Sequence, residues 1–236
     1  MMSAKRLYGL DVFRGWAIIL MIVFHFFYNM EYFEVLDIDL KEDMFWVLFR
    51  VLIVSIFLFS VGISLQLVHE TTIKWVDVKK RLLTLGGASL LVSVATYVQF
   101  GNSYIYFGVL HFIFVATFVG LMFLYRPYIA IGVSIMIFIG SATKDLDLHW
   151  LYLLLQPLLD LPTYTVDLMR FFPWFGVVLL GISFGSLGHH KRIFESKIFY
   201  QGFLHNRFLS FLGRHSLVIY LIHQPILFGL TELYVS

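Results

Sequence analysis

Arg14 and His25 stand eleven positions apart in the stretch LDVFRGWAIILMIVFHFFYN. On a helix, eleven steps of about 100° come to about 20° beyond three full turns, so both side chains share one face, about 16 Å apart along the axis. Asp11 falls within about 40° of that face. An imidazole can take a proton from a hydroxyl or an amine near neutral pH. An arginine beside a carboxylate can hold an anion or orient a partner. Further along the chain, Arg50, His111, Arg214, His215 and His223 sit in equally apolar surroundings, as in FWVLFRVLIV and LVIYLIHQPIL.

The elements that must position these groups follow from composition. The chain has 236 residues, 60% of them hydrophobic and 14% charged, with mean hydropathy +0.85. A soluble domain carries about 25% charged residues. The polar side chains cannot cover a globule in water, so the solvent is lipid over most of the surface. Soluble enzymes, nucleic-acid binders and disordered chains are thereby excluded. The net charge of +2 implies no polyanionic partner, and the absence of cysteine removes thiolate chemistry and cysteine-ligated metal. No metal is expected.

A span needs about 20 predominantly apolar residues. Seven stretches meet or approach that length: 10–30, 44–68, 82–100, 107–125, 128–143, 171–187 and 208–230. The expectation is an all-α, polytopic transmembrane helix bundle forming one integral membrane domain over 1–236. The apolar segment 148–161 is shorter, flanked by aspartates and interrupted by Pro157, so it reads as interfacial. With the N-terminus cytoplasmic, Lys5, Arg6, Lys74, Lys79, Lys80, Arg81, Arg126, Lys191, Arg192, Lys197 and Arg207 lie inside, against Lys41, Lys144 and Arg170 outside. A crossing at 148–161 would carry the basic 188–207 loop outside and spoil that bias. Lys5-Arg6 before the first span resembles a signal peptide, but Asp11 and Arg14 interrupt its start and no small-residue cleavage site follows His25, so the span stays attached.

Ionisable side chains inside spans must face the bundle interior or a wet cavity. Counted from the span ends, His25, Arg50, His111 and His223 share a layer in the outer half, although each comes from a different span. Pro225 deprives the Leu221 carbonyl of its helical donor beside His223, and Pro173-Trp174 opens span six at the same level. This predicts one polar chamber facing outward, with His25, His111 and Arg50 as catalytic candidates and His223, Trp174 and Gln224 as substrate-binding candidates. A second group on the inner side comprises Asp11, Arg14 and Arg214, with Lys79, Lys80 and Arg81 at the start of span three. It would suit a phosphate-bearing ligand from the cytoplasm. Asp11 can pair with Arg14 on its own helix or with Arg214 across the bundle. Each feature also has a plainer reading: packing histidines, lipid-headgroup and topology lysines, snorkelling arginines, and a Gly181/Gly185 pair that serves close helix packing and permits a homodimer.

Taken together, the first-span Arg14…His25 spacing and the stretches FLFSVGISL (57–65), YFGVLHFI (106–113), PWFGVVLLGISFG (173–185) and GRHSLVIYLIHQPIL (213–227) resemble one family. The Arg–His spacing resembles the first helix of the membrane acyltransferase-three superfamily. The remaining motifs are similar to prokaryotic proteins akin to the catalytic domain of heparan-α-glucosaminide N-acetyltransferase. The resemblance implies transfer of an acetyl group from cytoplasmic acetyl-CoA to an amine or hydroxyl of an extracytoplasmic saccharide or glycolipid, in a prokaryotic cell membrane. It makes Arg14 and His25 the signature pair, with His25 as the proposed catalytic histidine. For the transfer that the resemblance implies, Arg50 or His111 would stabilise the thioester oxyanion, and the inner cationic groups would hold the CoA phosphates. Direct transfer and a covalent acetyl-histidine both stay open. The rival class is a proton-coupled small-molecule transporter, which also uses intramembrane His and Arg and a proline-broken helix; the sequence contains no internal repeat to support it.

Overall fold

The computed structural model describes residues 7–146, 148–196 and 204–236. Lys5, Arg6 and Lys197, used in the charge count, lie outside the described residues, as does Asp147 beside the 148–161 segment. Every regular element among the described residues is helical: α1 (Tyr8–Tyr32), α2 (Met44–Val68), α3 (Trp75–Phe100), α4 (Val109–Gly120), α5 (Pro127–Ala142), α6 (His149–Leu159), α7 (Phe171–Ser186), α8 (His189–Phe194), α9 (Leu204–Arg214) and α10 (Ser216–Val235). Helices α1, α2, α3 and α10 are long and apolar enough to cross a bilayer. This is a helical membrane bundle.

The three remaining expected spans are shorter. Helix α4 passes into a 3₁₀ turn at Leu121–Phe123, and α5 and α7 have 16 residues each, about 24 Å of rise against the roughly 30 Å of a bilayer core. The chain turns at Arg126-Pro127, with Tyr125 at φ 64° and proline in the first turn of α5, where its missing N–H costs nothing. Helix α6 has eleven residues, about 16 Å, too short to cross.

The seventh expected span needs correction. Residues 208–230 do not form one helix: the chain breaks at His215 (φ −101°, ψ 18°) between α9 and α10. Helix α9, LHNRFLSFLGR, is amphipathic rather than uniformly apolar. Asn206, Leu209, Ser210 and Gly213 are buried, and Phe208 and Phe211 are exposed. That spacing of 3, 4 and 7 is a helix packing one stripe. By contrast, Pro225 lies inside α10 without ending it.

Contacts divide the chain into two compact units, 1–60 with 190–236, and 61–189. In the first, α1 packs against α9 and α10. A Cβ at Gly15 would overlap the backbone carbonyl of Leu209, and one at Gly213 would overlap the carbonyl of Asp11. These two glycines therefore set the α1–α9 approach. The core beside them contains Ile18, Met21, Phe24, Leu40 and Ile53.

In the second unit α3 packs on α4, and α7 packs on α5 and α4. Ser134 donates to the Gly176 carbonyl at 2.9 Å, and Ser183 donates to the Pro127 carbonyl at 3.1 Å. The Gly181/Gly185 stripe is used within the chain. A Cβ at Gly62 would come within 3.0 Å of the Gly181 Cα, and one at Gly185 within 3.1 Å of Gln66. A homodimer using that stripe would have to displace the end of α2.

Candidate functional site

Helices α1 and α10 bring His25 and His223 together in the first unit. His223 Nε2 lies 3.3 Å from His25 Nδ1, and the rings stand edge to face with centroids 4.7 Å apart. His25 Nδ1 is also 2.9 Å from the Met21 carbonyl, and His223 Nδ1 is 2.7 Å from the Tyr220 carbonyl. A carbonyl oxygen only accepts, so each Nδ1 carries the proton of a neutral ring. The His25 Nδ1–H is thus shared between Met21 O and His223 Nε2. His25 Nε2 keeps its lone pair, and no partner for it occurs among the described residues. His25 is half-buried while His223 is buried. The arrangement is a histidine held at one nitrogen and available as a base at the other.

One turn further along α1, Asn29 is completely buried, and its Oδ1 accepts from Gln224 Nε2 at 2.9 Å. Asn29 Nδ2 and Gln224 Oε1 are buried without a hydrogen-bond partner. Exchanging both amide orientations still leaves one donor and one acceptor unused. A buried donor and acceptor left open are costly, and a hydroxyl or an amide group satisfies both at once. Asn29 escaped the sequence reading because a neutral amide carries no intramembrane charge; its position four residues after His25 was the available signal.

Toward the start of α1, Asp11 meets Arg214 of α9. Asp11 Oδ2 lies 3.5 Å from Arg214 Nε. Arg14 Nε donates to Ser60 Oγ at 3.1 Å and its Nη2 to the Ser60 carbonyl at 3.2 Å. Ser60 Oγ donates in turn to the Phe57 carbonyl at 2.7 Å. Arg14 thereby ties α1 to α2. Ser60 was not singled out from the sequence, since an isolated serine in an apolar helix has no distinctive spacing. The break at His215 lets Arg214 end a helix, with 47% of its side-chain surface open.

Arg50 is exposed on α2, and no partner for it occurs among the described residues. His111 belongs to the second unit, in the first turn of α4. Its Nδ1 accepts from the Gly108 N–H at 3.3 Å, and its Nε2 lies 3.0 Å from Ser93 Oγ, whose proton goes to the Ile105 carbonyl. Both ring nitrogens are engaged in holding the α3–α4 connection. Trp174 is half-buried in the first turn of α7. Lys79 and Lys80 are exposed at the start of α3 and Arg81 is partly buried there.

A polar junction absent from the sequence reading lies just past α2. His69 is buried; its Nδ1 accepts from the Lys74 N–H at 3.2 Å, and its carbonyl accepts from the Tyr125 hydroxyl. Burial pushes the His69 pKa below its ordinary value, and Arg81 and Lys74 push it the same way against the opposing pull of Asp77. Among the described residues, no three histidines or carboxylates gather where they could hold a metal ion.

No curated protein and no solved structure matches the chain. The family model described as heparan-alpha-glucosaminide N-acetyltransferase, catalytic, matches residues 6–225. That range runs from before α1 into α10 and includes both histidines of the pair, Asp11, Arg14 and Arg214. The chain belongs to the heparan-alpha-glucosaminide N-acetyltransferase catalytic family.

Proposed function

We propose that this member of a family of membrane acetyltransferases moves an acetyl group from cytoplasmic acetyl-CoA to a hydroxyl or amine of an extracytoplasmic saccharide-like acceptor. The observation that carries the proposal is the unshared lone pair at His25 Nε2, fixed there by the Met21 carbonyl and His223. In the proposed step His25 Nε2 removes the acceptor proton as the acceptor oxygen or nitrogen attacks the thioester carbonyl carbon. The C–S bond breaks, and the CoA thiolate leaves and takes the proton from the imidazolium. His223 Nε2 accepts from His25 Nδ1–H throughout, and that bond strengthens when His25 becomes cationic. His223 is thus a positioning residue that also stabilises the charged intermediate. The open amide pair Asn29–Gln224 lies where it can receive a neighbouring hydroxyl or acetamido group of the acceptor.

For the donor, the Arg14–Arg214 end of α1 offers cationic groups to the phosphates of CoA. The stripe from Asp11 to His25 runs about 21 Å along the helix, long enough for an extended pantetheine arm. The test is thermal unfolding of the detergent-solubilised protein with acetyl-CoA, CoA and simple salts. Stabilisation by the CoA compounds supports a transferase. Indifference to them, combined with shifts on adding ions or small solutes, would instead support a carrier.

A further inference from the structure

A groove of about 460 Å³ runs along the outside of α3 against α4, wholly within the second unit. Its floor follows one stripe of α3, from Trp75 and Lys79 through Leu82 and Leu83 to Gly86 and Gly87, and Phe114 and Phe118 of α4 form the opposite wall. A Cβ added at Gly87 would meet nothing within 4 Å, and one at Gly86 would only touch the Phe114 ring at 3.4 Å. The two glycines keep the groove open. Helix α3 is poorly covered, with 17% of its most apolar window buried against 44% for α1 and α2. The groove therefore opens sideways, toward the acyl chains of the bilayer.

Its chemistry is sharply divided. The walls are carbon, and the polar groups are the Lys79 ammonium and the Trp75 indole N–H, both at one end. Asp77 lies two residues before Lys79, about 200° around the helix, so it does not neutralise the groove mouth. A pantetheine arm would bury two amides against walls with nothing to bond them, at a cost of about 1–3 kcal/mol each. A hydrocarbon chain loses nothing there. From Lys79 to Gly87 the groove extends about 12 Å along the helix.

We propose that this groove is a binding site for one anionic phospholipid, its phosphate at Lys79 and one acyl chain lying along α3 against Phe114 and Phe118. Trp75 anchors the same end at the level of the headgroups, as interfacial tryptophans do. The site is independent of the acetyl-transfer proposal and survives its failure.

The experiment uses the full chain, delipidated in detergent and titrated with phosphatidylglycerol or phosphatidylcholine of the same chains, and separately with inorganic phosphate. Native mass spectrometry counts retained lipid, and thermal unfolding reads stabilisation. The wild type retains one phosphatidylglycerol, preferred about fivefold over phosphatidylcholine, the weight of one lysine near a lipid surface. Gly87→Phe fills the groove and abolishes both retention and stabilisation. Lys79→Gln leaves the groove intact and equalises the two lipids; it alters an exposed side chain, so its result stands whether or not the glycine variant folds. Equal binding of both lipids by the wild type, a preference that survives Lys79→Gln, wild-type retention by a folded Gly87→Phe, or equal stabilisation by inorganic phosphate alone would each overturn the proposal.

Discussion

His25 and His223 meet edge to face across α1 and α10, with Nδ1 of one 3.3 Å from Nε2 of the other and an interplanar angle of 79°. Two imidazoles 198 positions apart in the sequence thus form one unit. His223 accepts and His25 donates, which fixes the tautomer of the His25 ring. Replacing His223 by Phe keeps the packing volume but removes the acceptor. The expected result is a fall in kcat of about 10²-fold, the lower end of what a positioned base contributes, with KM for acetyl-CoA unchanged.

Helix α1 approaches α9 through Gly15, the residue after Arg14. The obstacle to a Cβ there is backbone, the Leu209 carbonyl, which cannot rotate away as a flexible side chain would. Gly15→Ala is expected to destabilise by about 3 kcal/mol, the upper part of the usual overpacking range, and to lower the unfolding temperature clearly. Gly229→Ala, where a Cβ meets nothing within 4 Å, serves as the control and should be neutral or slightly stabilising.

The Asp11–Arg214 pair joins a buried carboxylate to a guanidinium whose side chain keeps 47% of its surface open. Solvent screens that contact. A double-mutant cycle with Asp11→Asn and Arg214→Gln should give a coupling energy of about 1 kcal/mol, measured by thermal or denaturant unfolding in detergent.

Acidification should weaken the junction at His69. The folded pKa lies below the ordinary 6.5, so the folded ring stays neutral while the unfolded ring takes up a proton. The unfolded state then binds more protons, and stability present above about pH 6.5 is lost as the pH falls below it. His69→Asn retains an acceptor for the Lys74 N–H and removes the titration. Its unfolding temperature should therefore depend less on pH between 7 and 5 than that of the wild type.

Direct attack by the acceptor predicts that CoA release requires the acceptor. Mixing enzyme and acetyl-CoA in a stopped-flow thiol assay should give no stoichiometric burst. A burst equal to the enzyme concentration, with acetyl label retained on the protein, would instead indicate an acetyl-histidine.

Much of the architecture was legible from hydropathy because lipid imposes a single rule on every exposed surface. The stretch 44–68 coincides with α2, and 171–187 ends one residue beyond α7. The break at His215 was hidden because α9 carries its apolar residues on one stripe, and a window average blends that stripe with the uniformly apolar α10. At the site, charge at membrane depth pointed to His25 and His223, and depth arithmetic placed them in one layer. The same arithmetic grouped His111 with them, although its two nitrogens serve a helix start that begins only at Val109. The neutral partners Ser60 and Asn29 were invisible for a simpler reason. Polar but uncharged side chains are common in membrane helices, and only coordinates reveal which of them a cation or an amide has selected.

Acetyl transfer measured in sealed proteoliposomes, with labelled acetyl-CoA outside and a panel of amino sugars and glycosides trapped inside, tests the central role of His25 most directly. His25→Ala should lower transfer by about 10²–10⁴-fold while acetyl-CoA still stabilises the protein against heat. Transfer by His25→Ala at the wild-type rate would contradict that role.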